Sequence, residues 1–229
     1  MNQLQDFYIR HIEQCLANAE EGKSKINNEI LEMYGMTGIK TRHFYNNLLS
    51  IKDSRYLEVG TWAGSSVCSA MFGNESKVVC IDNWSEFGGE DIKEIFLEYF
   101  DEYKGNNDAA FIEDDCFNVK FGDDRSFNIY LYDGGHAYEE HYKAVSQFLE
   151  YLDDVFIFIV DDWNWLKVRN GTMDALKDSD LEVVWKREII LTENDEHTPL
   201  AEAKLNWWNG IAVFVIEKKN KQNVDRITN

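Results

Sequence analysis

Several apolar runs in this chain close on a carboxylate. Glu58 follows Tyr56 and Leu57, Asp82 ends KVVCID, and Asp114 and Asp115 follow AAFIE. Asp133 ends FNIYLYD, and Asp161 and Asp162 follow VFIFIV. Carboxylates of this kind can accept hydrogen bonds from sugar hydroxyls or amino groups. Where three converge, they repel one another unless protonated or bridged by a cation. Oxygen-only ligands suit a hard ion such as Mg²⁺, so Asp133, Asp161 and Asp162 form a candidate metal set. His136 lies three residues after Asp133, where an imidazole could take a proton from a reacting hydroxyl. Asp133 and His136 are therefore the candidate catalytic pair.

The second chemical signal is the loop in YLEVGTWAGSS, residues 56–66. Gly60 and Gly64 allow the backbone to approach a ligand closely. Ser65 and Ser66 can open a helix whose free N–H groups suit an anionic group. A dinucleotide-binding loop would read G-x-G-x-x-G. Here the spacing is Glu58-x-Gly60-x-x-x-Gly64, with Trp62 and Ser65 where further glycines would be needed.

Elements that alternate between strand and helix must position these groups. Strands are expected at 56–59, 77–82, 109–117, 127–133, 155–160, 181–190 and 211–218, with helical spacing between most of them. The alternation implies an α/β fold: a Rossmann-like, doubly wound seven-stranded sheet, mostly parallel with one antiparallel strand, and helices on both faces. Right-handed crossovers then bring the carboxyl ends of the strands, and their acids, to one edge. An acid about 20 residues beyond such a glycine loop can hold the ribose hydroxyls. Asp82 has that place, with Asn83 beside it and Trp84 offering a face for a base. Residues 3–20 read as an amphipathic helix and 37–49 as the start of another. Residues 1–50 are thus expected to form a helical cap or lid, 51–219 the ligand-binding domain, and 220–229 a polar tail.

The glycine loop resembles the first motif of class I S-adenosylmethionine (SAM)-dependent methyltransferases. DGGHAYEEHYKAV followed by IVDDWN is similar to the metal-dependent macrocin and sugar O-methyltransferase-like group. The resemblance spans about residues 35–190. It implies SAM bound by Glu58, Gly60, Thr61, Trp62, Gly64, Ser65, Ser66, Asp82, Asn83, Trp84, Asp115, Cys116 and Asp133. It also implies a divalent cation on Asp133, Asp161 and Asp162, and His136 as base. Many relatives end the fifth strand in Asp-Asn, so Asp162 or Asn164 completes the metal set. The competing readings are a nucleotide-sugar oxidoreductase or epimerase, which the missing G-x-G-x-x-G pattern disfavours, and a SAM-binding homologue without catalysis.

The 229 residues suffice for one α/β domain. A net charge of −19 and no basic stripe argue against a nucleic-acid partner. The expected acceptor is therefore a hydroxyl of a small molecule or sugar. No apolar run is long enough to span a bilayer and no leader pattern opens the chain, so no membrane partner and a cytoplasmic location are expected. The four cysteines are scattered with no C-x-x-C pair, which reads as free thiols. The N-terminal helix and the Trp207–Trp208 pair suggest a homodimer.

Overall fold

The computed structural model describes residues 2–122 and 125–219; the expected polar tail, 220–229, lies outside them. Seven strands form one sheet: β1 (Arg55–Val59), β2 (Lys77–Asp82), β3 (Asp108–Glu113), β4 (Phe127–Tyr132), β5 (Leu152–Val160), β6 (Leu181–Ile189) and β7 (Ile211–Lys218). Their order is β3-β2-β1-β4-β5-β7-β6. β7 is antiparallel to both neighbours and the other strands run together, as the alternating pattern predicts. β1 and β4 lie side by side, so the direction of winding reverses between them. This is where α/β sheets bind ligands.

Side-chain alternation along β1 divides the core. Tyr56 joins the apolar cluster on one face, with Tyr8, Ile12, Phe44, Tyr45, Val67 and Phe96. These come from α1 (Gln3–Glu20), α3 (Ile39–Leu48), α4 (Ser65–Met71) and α5 (Glu90–Tyr103); a short α2 (Asn28–Glu32) adds Ile30. Leu57 and Val59 point to the opposite face, where α6 (Tyr138–Gln147) and α7 (Leu166–Asp178) bring Ala144, Val145, Val168 and Leu176. β5 is buried on both faces, which is why its run is apolar without alternation. The helices of residues 1–50 thus pack into the same core as the sheet. No described helix is long and apolar enough to cross a membrane.

Tertiary contacts, rather than local pattern, set three details of these elements. The helical spacing of Tyr138, Tyr142, Val145, Leu149 and Leu152 does not mark one helix. α6 stops at Gln147, a 3₁₀ turn spans Leu149–Tyr151, and Leu152 opens β5 by pairing with Phe127. The third strand ends at Glu113 rather than 117, so Asp114–Phe117 form a loop at the sheet edge. Leu4 lies outside the buried stripe of α1, at 43% exposure, whereas Gln5 is buried. Gln5 donates to Glu217 on β7 at 2.8 Å and completes the capping box with Asn2.

Candidate active site

The carboxyl ends of β1, β2, β4 and β5 open into a cavity of about 360 Å³, within the range of small-molecule sites. Its first wall is the glycine loop. Gly60 has φ +86°. A Cβ there would lie 1.7 Å from the carbonyl oxygen of Asp133, so a glycine is required for the ends of β1 and β4 to meet. Gly64, at φ +90°, starts α4 and sits under Phe96 without lining the cavity. Thr61, Trp62, Ser65 and Ser66 line it, and the Ser65 hydroxyl is 2.7 Å from that of Thr37.

Asp82 organises this loop. Its Oδ2 accepts the backbone N–H groups of Thr61 and Trp62 at 2.8 and 2.7 Å, and its Oδ1 accepts that of Trp84 at 2.7 Å. A carboxylate has about four acceptor sites, so capacity remains toward the cavity it faces. Asn83, Trp84, Asp115 and Cys116 also line that end. Trp84 is 8% exposed, packs on Phe96 at 5.4 Å and donates Nε1–H to the Trp62 carbonyl, so most of its surface is already covered.

Glu58 is the sequence candidate that the fold turns away. It shares the face of Tyr56 and lies fully buried beneath α4, accepting O–H from Tyr56 and from Ser66 at 2.6 Å each. Burial pushes its carboxyl up to about 7, although both hydrogen bonds oppose the rise. The neutral form therefore stabilises the fold below the ordinary carboxyl range, and that contribution is lost as pH climbs through about 7. Urea unfolding at pH 5 and pH 8 is expected to show wild type losing about 2.5 kcal/mol more than Glu58→Gln over that interval. Equal losses would contradict this.

The second wall carries the acids. Asp133, His136 and Asp162 bring ligand atoms within 4.8 Å of one another. His136 Nε2 lies 2.6 Å from Asp162 Oδ2, and His136 Nδ1 lies 3.9 Å from Glu86. Asp161, also at the cavity, lies deeper: its Oδ1 accepts the backbone N–H of Asp162 at 2.9 Å. Burial and mutual repulsion hold the Asp133 and Asp161 carboxyls well above their usual range. Beneath them the fully buried Tyr45 hydroxyl has no partner among the described residues. His136 thus joins Asp133 and Asp162 in one converging set, and Asp161 lies beside it, hydrogen-bonded to Asp133. Asn164 is not in it. Its side chain donates to Thr198 Oγ1 at 2.9 Å and accepts Leu191 N–H at 2.8 Å, stapling the 190–198 segment to the end of β5.

That segment and the turn before β7 complete this wall. His197, Trp208 and Asn209 line the cavity together with Trp165. The rings of Phe87, His136, Trp165, His197 and Trp208 follow one another at centroid distances of 4.9–6.0 Å. Trp207 instead packs on Phe44 in the core. The remaining histidines are structural. His11 bonds the Leu48 carbonyl, His43 bonds Ser24, and His141 is buried against Tyr132, where burial lowers its pKa to about 3. Arg42, on α3, is also structural, donating to the carbonyls of Ile30, Met33 and Thr37.

Charge narrows the ligand. Eight carboxylate side chains line the cavity, and none of the described lining residues is Lys or Arg. A dinucleotide pyrophosphate would meet repulsion here. A cofactor carrying a sulfonium and an ammonium group would not, and a divalent cation would relieve the crowding of Asp133, Asp161 and Asp162.

Residues 57–163, a little under half of the chain, match the family model of a methyltransferase domain. No curated protein matches the chain. Among solved structures, TrmN from Thermus thermophilus is similar at TM-score 0.54 and 15% identity; the match covers 82% of this chain and 51% of that one. The chain thus spans about half the length of TrmN. A Pyrococcus horikoshii protein assigned as an RNA methyltransferase gives TM-score 0.54 at 15% identity, covering 92% of this chain and 100% of that one. The SAH-bound methyltransferase PaMTH1 of Podospora anserina gives 0.54 at 13%, covering 96% and 97%. At these identities the likeness is one of fold. It corrects one expectation: a small-molecule or sugar acceptor to the exclusion of nucleic acid does not follow from a net charge of −19. The same fold serves a protein assigned to RNA, and a charge summed over the whole chain does not describe the surface that meets an acceptor. Residues 57–163, which hold the glycine loop and the acidic ends of β1, β2, β4 and β5, are thus the part of the chain that matches a methyltransferase domain, set in a fold shared with solved methyltransferases.

Proposed function

We propose that the protein transfers the methyl group of SAM to a hydroxyl, with His136 as base and a divalent cation held at Asp133 and Asp162. The observation that carries this reading is the 2.6 Å pairing of His136 Nε2 with Asp162 Oδ2, beside Asp133, at the cavity floor. SAM supplies a methyl group already activated on a positively charged sulfur. The chain must bind it, exclude water, align the acceptor and remove a proton. In this reading Asp82, fixed by the Thr61 and Trp62 N–H groups, accepts the ribose hydroxyls, and Asp115 and Cys116 meet the adenine. The acidic lining favours the cationic centre.

With Nε2–H donated to Asp162, the neutral His136 ring keeps its lone pair on Nδ1. Transfer of the acceptor O–H proton to Nδ1 leaves an imidazolium that the Asp162 carboxylate stabilises. The carboxylate oxygens of Asp133 and Asp162 would suit Mg²⁺ or Mn²⁺, with His136 outside the ligand set so that its Nδ1 lone pair stays free for the proton. Such a cation lowers the pKa of a hydroxyl beside it. Trp165, Trp208 and Phe87 offer flat faces for a ring of the acceptor.

The test is a mass-spectrometric screen for SAM-dependent methylation, run on hydroxylated metabolites and on RNA and protein pools, with Mg²⁺ and with a chelator. The expected result is methylation of a hydroxyl that falls at least about ten-fold on chelation. Product methylated on nitrogen or carbon, at a rate indifferent to chelator, would overturn the proposal.

A further inference from the structure

Asp162 is held in an unusual way. Its backbone lies at φ +53°, a region that non-glycine residues seldom adopt, and its side chain is held from two sides. Oδ2 faces His136, while Oδ1 accepts a hydrogen bond from Asn209 Nδ2 at 2.8 Å. Asn209 is 1% exposed and sits in the turn before β7, outside the family-matched residues.

Each polar atom of the Asn209 side chain is committed. Its Oδ1 accepts Thr198 N–H at 2.9 Å. Its second amide hydrogen points to His197 Nε2 at 2.9 Å. His197 Nδ1 lies 3.1 Å from the Thr198 carbonyl, which can only accept, so the ring hydrogen is on Nδ1 and Nε2 is the acceptor. The amide therefore cannot be flipped without losing all three bonds. The backbone adds to the clamp, because Asn164 N–H donates to Asn209 O at 2.8 Å and Trp163 N–H to Gly210 O at 3.1 Å.

We propose that Asn209, itself oriented by His197 and Thr198, is the positioning residue that aims Asp162 at His136. The role rests on the function proposed above, in which Asp162 and His136 are the working pair. An amide is suited to it because it donates to a carboxylate and a neutral imidazole while accepting from a backbone N–H, which neither Asp nor Leu can do. It would also make the 190–210 segment part of the active site.

The test uses the full chain and two readouts that do not need an acceptor. The first is the slowly exchanging imidazole Nε2–H proton of His136 by NMR, assigned by its loss in His136→Gln. It is expected in wild type. It is expected to vanish in Asn209→Ala and in Asn209→Asp, which keeps the shape and the Thr198 bond but cannot donate to Asp162. The second is Mn²⁺ affinity by titration. Asn209→Ala is expected to weaken it about ten-fold while SAH affinity stays within about two-fold, a selectivity that general loss of structure would not give. Persistence of the His136 signal in Asn209→Asp, or unchanged Mn²⁺ affinity in a folded Asn209→Ala, overturns the proposal. Wild-type protein that ignores Mn²⁺ would refute the metal in the proposed function alone; the imidazole signal then decides the role of Asn209. Should Asn209→Ala fail to fold, Asn209→Asp decides it.

Discussion

Gly60→Ala is expected to lower the melting temperature by about 10 °C and to remove measurable SAH binding. The added Cβ would meet the Asp133 carbonyl carbon at 2.3 Å as well as its oxygen at 1.7 Å, and the Gly134 nitrogen at 2.9 Å. All three are backbone atoms, so no rotamer change relieves the overlap. The left-handed φ adds about 1 kcal/mol of strain for any residue with a Cβ. Together with forced separation of β1 from β4, a loss of about 4 kcal/mol follows, which for a chain of this size corresponds to about 10 °C. Gly64→Ala is the comparison. It has the same sign of φ, but the nearest atom is the Phe96 ring at 3.1 Å, a side chain that can shift, so a smaller loss is expected. Differential scanning calorimetry and SAH titration of both variants read the result. A Gly60→Ala protein melting within about 2 °C of wild type would show that the β1–β4 junction is not as tight as described.

His136→Gln and Asp162→Asn are expected to slow methyl transfer by about 10²–10⁴-fold while leaving SAH affinity within about two-fold. His136→Gln removes the imidazole paired with the acidic floor. Asp162→Asn keeps an acceptor for Nε2–H and keeps the shape, but removes the charge that stabilises the imidazolium. The two together should cost little more than either alone, because they act as one unit. Single-turnover rates on the acceptor found by the methylation screen check this. A His136→Gln enzyme that keeps more than about a tenth of the wild-type rate would place the base elsewhere.

The sheet was legible because its strands announce themselves. Continuous apolar runs such as VFIFIV, punctuated by acids and glycines, read correctly as buried parallel strands. The 211–218 run gave β7 without revealing that it inserts between β5 and β6. The glycine loop and the acids at the ends of β2, β4 and β5 were legible for the same reason, since topology alone brings strand ends to one edge. What failed were questions of side-chain direction. Glu58 lies one residue before the end of β1, and the two-residue period turns it under α4 instead of into the cavity. Asp162 and His136 could be named, but their direct pairing could not, because it depends on the positive φ of Asp162 and on Asn209. His197 and Asn209 carried no local pattern, and the Trp207–Trp208 pair stood out without showing that Trp208 alone would face the site. They reach the site only because the turn before β7 folds back over the end of β5. The chemical hint that could have marked them is the density of His, Trp and Asn in an otherwise acidic connection.

The central claim is that the cleft at the ends of β1, β2 and β4 binds the adenosyl cofactor, and calorimetric titration with SAH tests it most directly. Wild-type protein is expected to bind one equivalent with micromolar affinity. Asp82→Ala is expected to bind at least about ten-fold more weakly, having lost the carboxylate that orders the loop and, in the proposed function, accepts the ribose hydroxyls. No heat of binding at millimolar SAH, or an Asp82→Ala protein that binds as wild type does, would contradict it.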